Sequence, residues 1–504
     1  MIFIIFKFFF FNVIIEPKNL KILIGLKNYN MPIEIKKSSK GKKDKNQMKK
    51  KPVLEKSKKL IGGKEKPPIE KSSKVITQKD KDNDNAKDNA NDKDNAKDKS
   101  TKLIKQKNKD CIYLDNVNTS LLGSKVEQVY KKNIHDRVPS QTDRDKIINE
   151  SKEYLLKMCE APADKYSVFY TSGEIESNHI ILCCAVNAYK KIRKIKPHVV
   201  ISTVEHNSII MHAKSLMDSD QIELSIIKPN SYGCILSDTV AKSLKPNTCF
   251  VSITYINREL GSVNNIEKIS AILHEKKIPL HCDCTYLFGK HKLDLTKTNI
   301  DTATISFDKI NGPVGIGALI INNDLYNGYK LYEHSTTLSG DRPQNIPCIV
   351  SAIESFKISS TNRKLKNELI LKFRNEIINR LSDKYQTMTF ANFMNSDAPP
   401  LDDGIKSKNK LVILGPPANN ESYYTPSILS IVIISEKNKT GEDIKKELEK
   451  KCIIIGVPDI EKNVMYADIG MPPESLKYII RISLSDDITQ ENINKFIDTL
   501  KSII

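Results

Sequence analysis

The chain has no apolar run long enough to span a bilayer. Its most apolar stretch, Met1-Ile2-Phe3-Ile4-Ile5-Phe6 continued by Phe8-Phe9-Phe10-Phe11 and Asn12-Val13-Ile14-Ile15, is broken by Lys7 and falls short of the ~20 residues a transmembrane helix needs. The basic segment and small-residue cleavage site of a secretory signal are also missing. Two readings of residues 1–30 stay open: a membrane-directing or targeting segment, and translation upstream of a later start such as Met31. Paired cysteine spacing is absent too. The 10 cysteines are scattered, with Cys183 and Cys184 adjacent, which excludes a secreted disulfide framework and reads as reduced, intracellular and cytoplasmic. Cys282 and Cys284 flank Asp283 beside His281. On a strand, however, the two thiols share one face while His281 and Asp283 take the other, so no metal site is expected there.

Negative charge is scarce only locally. Of the formal net charge of +19, residues 1–30 carry +3 and residues 31–110 carry +13, from 26 lysines against 13 acidic residues; residues 111–504 are left with +3. The alkaline balance therefore belongs to a tail. That tail has no aromatic residue and no arginine, which argues against base contacts and leaves non-specific attraction to anionic partners. Its short polar repeats, Asp84-Asn85-Ala86-Lys87-Asp88-Asn89-Ala90 and Asp94-Asn95-Ala96-Lys97-Asp98, have little to bury. They predict a solvated, disordered, low-complexity extension.

From residue 111 onward, short apolar runs alternate with helical patterns. Tyr166 to Tyr170, Val199 to Ser202, Cys249 to Ile253, Ile278 to Cys282 and Thr302 to Ile305 read as buried strands; Ser177 to Ile195, Ser208 to Met217 and Ile266 to Lys277 read as helices. This is the pattern of an α/β domain with a mostly parallel sheet, whose ligands sit at the carboxyl ends of the strands. Asp283 and Lys309 fall at two such ends, the second just ahead of Gly312-Pro313-Val314-Gly315-Ile316-Gly317. An acid that keeps a proton on a pyridine nitrogen and a lysine amine that forms a Schiff base are what pyridoxal phosphate chemistry requires. Ser172 and Gly173, in Thr171-Ser172-Gly173-Glu174 at another strand end, precede a long helix whose N–H groups suit a phosphate. His206 could stack on a flat ring or merely cap a helix, and Asn257 could bind the ring or merely form a turn.

In their order, these motifs resemble the cysteine desulfurases, in the class V aminotransferase group of fold-type-I pyridoxal phosphate enzymes. The resemblance runs from Tyr113-Leu114-Asp115-Asn116 to Ile480-Arg481-Ile482-Ser483-Leu484. It implies a seven-stranded, mostly parallel large domain over residues 111–345 with an N-terminal arm, a smaller α+β domain over 346–504, and a homodimer acting on an amino acid and passing sulfur to an acceptor protein. It implies Lys309 as the Schiff-base lysine, Asp283 as the pyridinium partner, His206 as the stacking imidazole, Asn257 as a ring and substrate contact, Ser306 as a phosphate ligand and Arg481 as the grip on the substrate carboxylate.

The departures fall mostly on the phosphate. Ile175 stands where the family has a Thr, Asp308 where it has a His before the lysine, Tyr286 where it has a Gln on the ring oxygen, and Asn345 where the dimer partner contributes a Thr. No Cys lies between Gly456 and Arg481, where the family carries its persulfide nucleophile. Cys452, the nearest candidate, sits in the apolar run Cys452-Ile453-Ile454-Ile455 and reads as an inert core thiol. The alternatives implied are altered chemistry, such as β-elimination or transamination, and a degenerate homologue that keeps the fold as a scaffold.

Overall fold

The computed structural model describes residues 12–15, 22–26, 29–33, 111–135, 140–340, 343–395, 409–416, 423–459 and 464–504. It has two compact units, residues 1–83 and 84–504. In the first, strands Asn12–Ile15, Ile22–Leu26 and Tyr29–Ile33 form an antiparallel sheet, so part of the apolar N-terminal stretch is paired as strands and the division read at residue 30 falls within the third. The lysine-rich stretch after residue 33 and its polar repeats lie outside the described residues. Among those described, no helix is long and apolar enough to cross a membrane.

In the second unit, β1 (Ile112–Leu114) is followed by α1 (Ser124–His135), α2 (Gln141–Met158) and β2 (Tyr166–Thr171). Then come α3 (Glu174–Arg193), β3 (His198–Ser202), α4 (Asn207–Asp218), β4 (Glu223–Ile227) and β5 (Thr248–Ser252). After α5 (Ile266–Glu275) come β6 (Leu280–Asp283), β7 (Thr302–Ser306) and β8 (Gly317–Asn322). The seven strands β2 to β8 form one sheet in the order β2-β8-β7-β6-β5-β3-β4. β8 runs antiparallel to both neighbours and every other pairing is parallel. Strands β3, β5, β6 and β7 are buried at every position, as a sheet covered on both faces demands. Two apolar clusters provide that cover. One contains Leu155, Leu273 and Phe356; the other contains Ile181, Ile209 and Leu216 from α3 and α4.

The C-terminal part continues with α6 (Ile346–Ser360), α7 (Arg363–Ser382), β9 (Gln386–Thr389), β10 (Lys410–Ile413) and β11 (Ile428–Ile434). It closes with α8 (Gly441–Lys450), β12 (Ile453–Ile455), β13 (Ile479–Ser483) and α9 (Gln490–Ile503). A four-stranded sheet has the order β9-β10-β11-β13, while β12 pairs in parallel with β1. Ile112 and Leu114 of β1 belong to the same core as Ile431, Ile480 and Phe496. The start of the described segment thus packs with its end.

The structure corrects the cysteine reading. Cys452 is not in the strand; it holds a turn at φ +60° just before β12 and is disulfide-bonded to Cys111. The two cysteines are far apart in sequence, and only the pairing of β1 with β12 brings them together. The other eight cysteines are free. β4 and β8 were also not legible as strands. β4 is a sheet edge half-buried along most of its length, so it lacks a continuous apolar run. β8 opens on a glycine whose role is steric: a Cβ on Gly317 would lie 2.6 Å from Gly173 Cα and 2.8 Å from the Ile305 carbonyl oxygen. Gly317→Ala is expected to cost about 1–3 kcal/mol of stability through overpacking, read as a lowered urea midpoint with an unchanged slope; an unchanged midpoint would show that β8 and the Gly173 loop are not in this close contact.

Candidate active site

The carboxyl ends of β2, β3, β6 and β7 hold the residues singled out in the sequence. Asp283, the last residue of β6, is buried; one carboxylate oxygen accepts from Asn178 Nδ2 at 2.9 Å and the other from the Thr285 amide at 3.0 Å. Asn178, on α3, in turn contacts His281 Nε2 at 3.1 Å through its Oδ1, and His281 Nδ1 lies 2.8 Å from Thr302 Oγ1. His281 and Asp283 therefore share the face expected of alternate strand residues, and both meet the same asparagine. The polar chain Thr302–His281–Asn178–Asp283 fixes the acid's orientation.

Lys309 follows β7 in a short 3-10 turn and is buried. Its Nζ lies 2.6 Å from Asp308 Oδ2 and 3.9 Å from Glu174 Oε1. Burial alone disfavours the ammonium, yet Tyr286, Asp308 and Glu174 outweigh it and hold Lys309 above the ordinary lysine range. His206 caps α4, accepting the Ser208 amide at its Nδ1, which leaves the proton of the neutral ring on Nε2. Burial lowers its pKa, and Asp283, Arg258, Glu174 and Lys309 all act on it electrostatically. The structure thus brings His206, Asp283 and Lys309 into one neighbourhood, with the capping role and the site position held by the same ring.

Asn257 is the turn-forming residue of its loop: its Oδ1 accepts the amides of Glu259 and Leu260, and its Nδ2 donates to the Gly233 carbonyl. It nonetheless lines a cavity with Glu205, Arg258 and Glu259. Arg481, on β13, is buried and clamped by two carboxylates, Nη1 on Glu259 and Nη2 on Asp115 at 3.3 Å. Its buried Nε–H has no acceptor among the described residues. A Cβ on Gly456 would approach Asp115 Oδ1 to 2.6 Å, so this pair needs the glycine. Tyr286 donates to the Val117 carbonyl and lies in the electrostatic field of both Lys309 and Arg481.

A second cavity is lined by Ser172, Gly173, Glu174, Ile175, Ser306 and Asp308, among others. Its donors are already engaged by the chain's own acids. The Ser172 amide donates to Glu176 Oε2 at 2.6 Å, Ser306 Oγ to Asp308 Oδ1 at 2.5 Å, and Lys309 to the other oxygen of Asp308. Asn345 caps α6 through the Cys348 amide.

Two groups escaped the sequence reading. Glu205, next to His206, is fully enclosed, accepting from Ser202 Oγ, Ser252 Oγ and the Thr254 amide. Burial drives its carboxyl up to about 8 against those hydrogen bonds. Only its position at the end of an apolar strand hinted at this. The second is a trio of metal-capable donors, His179, Cys183 and His212; His179 and Cys183 stand one helical turn apart, a spacing visible in the sequence.

Known proteins agree with this architecture. Residues 112–341 match the family described as aminotransferase class-V. The chain is 31% identical over 225 residues to "Cysteine desulfurase IscS" of Plasmodium falciparum, covering 43% of this chain and 40% of that protein. It is 32% identical over 174 residues to the mitochondrial cysteine desulfurase of Saccharomyces cerevisiae, covering 34% of each. It thus spans less than half the length of these curated relatives. A solved "NIFS-LIKE PROTEIN" superposes with a TM-score of 0.64 at 20% identity, over 78% of this chain and 99% of that one, a likeness of fold. Residues 112–341 are accordingly an aminotransferase class-V domain, of the pyridoxal phosphate-dependent group. Over that stretch the chain is similar to cysteine desulfurases of this class.

The donor set fits the cofactor unevenly. An acid fixed by two donors, a neutral imidazole and a buried amine suit its ring and aldehyde. Glu174, Glu176 and Asp308 line the cavity where Ser172, Gly173 and Ser306 would meet its phosphate. Glu205 supplies a test of the site's electrostatics. Its folded pKa lies above its unfolded value of about 4.5, so its contribution is complete below about 4.5 and is lost as pH rises towards about 8. Glu205→Gln, which cannot ionise, is expected to lose less stability than the wild type between about pH 5 and about pH 8 in urea melts. Parallel pH dependences would mean that Glu205 is ionised throughout.

Proposed function

We propose that this chain is a pyridoxal phosphate-dependent enzyme of cysteine desulfurase type that acts on a small amino acid and carries no persulfide on a cysteine between Gly456 and Arg481. The observation that supports the reading is the gathering of Lys309, Asp283 and Glu174 around the neutral His206 ring. When bound, the cofactor supplies an electron sink that loosens the substrate's α-hydrogen. Asp283 would keep the ring nitrogen protonated, held in place for that task by Asn178 and the Thr285 amide. His206 would lie against the ring with Asn257 at its edge. Ser306 and the amides of Ser172 and Gly173 would face the phosphate once they leave their present acceptors.

Lys309 is the base that moves the α-proton, and to act it must first lose a proton. Asp308 Oδ2, at 2.6 Å, pairs with the ammonium and opposes that loss. Arg481 would offer its unpartnered Nε to the substrate carboxylate. The homodimer and a sulfur-acceptor protein belong to the same proposal and rest on the family resemblance.

One observation favours a second reading, a homologue that keeps the fold as a scaffold: Ser172 N, Ser306 Oγ and Lys309 Nζ are all satisfied by internal carboxylates. Adding pyridoxal phosphate to the purified full chain separates the two. The enzyme reading expects a visible absorption band, lost in Lys309→Ala; no band at excess cofactor would leave only the scaffold. Asp308→Asn is expected to tighten cofactor binding about tenfold or more, since it removes a charge that competes for bonds worth about 1.5–3 kcal/mol each, and to shift cofactor capture to lower pH by relieving Lys309 of its ion pair. Equal or weaker affinity would show that Asp308 does not oppose the phosphate.

A further inference from the structure

A cluster of metal-capable side chains lies outside the residues used above. His179 and Cys183 stand on one face of α3, and His212 faces them from α4. Cys183 Sγ is 3.0 Å from His212 Nε2 and 3.8 Å from His179 Nε2. All three donor atoms lie within 4.8 Å of one another. The two imidazole rings are 4.0 Å apart between centroids and tilted by 47°, so neither is stacked flat on the other. His179 is exposed and the other two are half-buried.

These separations can be compared with what a metal imposes. Tetrahedral zinc, with bonds of about 2.3 Å to sulfur and about 2.0–2.1 Å to nitrogen, sets sulfur and nitrogen about 3.5 Å apart. The two observed distances bracket that value, so each sulfur–nitrogen separation needs to change by only about half an ångström to suit an ion. Both Nε2 atoms already lie within 3.8 Å of the sulfur. The donor set is one thiolate and two imidazoles, with no carboxylate, which suits zinc better than magnesium or calcium.

We propose that His179, Cys183 and His212 form a zinc site, with its fourth position open to water or an exogenous ligand. Binding converts the Cys183 thiol to thiolate: the S–H bond breaks, a sulfur–zinc bond forms and the proton passes to water, with no change of oxidation state. The ion ties α3 to α4, whose first turns carry the Ser172–Gly173 loop and His206. It also brings positive charge to a cavity wall shared by His179 with Glu174, Glu176 and Asp308. The site does not depend on the proposed amino-acid chemistry.

The test uses the full chain, reduced and stripped of metal, titrated with cobalt(II) as a spectroscopic probe and then with zinc. One cobalt per chain is expected, with a thiolate-to-cobalt charge-transfer band and the intense visible bands of tetrahedral geometry, both bleached by zinc. Cys183→Ser should abolish the charge-transfer band, His212→Gln should weaken binding at least tenfold, and Cys234→Ser, at the other half-buried free thiol, should change neither. Zinc should raise the melting temperature of the wild type and not that of Cys183→Ser. A wild type without the band, or a band that survives in Cys183→Ser, overturns the proposal. Should Cys183→Ser not fold, undiminished affinity in both His212→Gln and His179→Gln would overturn it equally.

Discussion

One buried carboxylate holds the site's far wall together. Glu259 accepts from Arg258 Nε, Arg481 Nη1 and the Tyr466 hydroxyl, joining the loop after β5 to β13 and to the short helix at Met465–Asp468. Burial would neutralise such an acid, but the two guanidinium groups reverse that and keep its pKa low. Breaking a buried pair by removing one partner costs about 3–5 kcal/mol, because the other charge is left stranded. Asp115, just after β1, completes the clamp on Arg481. Residues from three distant parts of the chain are thereby locked into one charge network, and the cavity beside Asn257 takes its shape from it.

The same logic of charge runs through the anion cup, with the opposite outcome. A helix N-terminus, a serine hydroxyl and a lysine would together attract a phosphate. Here Glu176 and Asp308 occupy those donors, so an incoming anion must displace carboxylates. The ring half of the site shows no such substitution. Asp283, Asn178 and His281 form a hydrogen-bonded chain in which each member has its partner. The hydrogen-bonded chain at Asp283 and the carboxylate-bound donors at Ser172 and Ser306 therefore rest on different side chains.

Several parts of this arrangement were legible in the order of residues. Continuous apolar runs ending at Ser202, Ile253 and Cys282 marked strands covered on both faces, and the alternation with helical segments marked a parallel sheet. Asp283, His206 and Lys309 were readable because strand ends are where such sheets hold their ligands. The edge strand β4 was not, since partial exposure removes the apolar signal. The partnership of Cys111 with Cys452 was hidden because it depends on β1 pairing with β12. Glu205 was passed over because a glutamate beside a histidine looks like surface until its three donors are seen.

Sequence alone settled the class: local patterning dictates strands and helices, and the residue types at strand ends dictate what chemistry is conceivable there. It also settled the missing cysteine before Arg481 and the acid, Asp308, beside Lys309. What only the tertiary structure decided is how those groups are spent: that Asp308 bonds both Ser306 and Lys309, that Arg481 is already clamped, and that His179, Cys183 and His212 meet across two helices. These are contacts between residues far apart in the chain or on different faces, set by packing and by competition among charges, which no local pattern encodes.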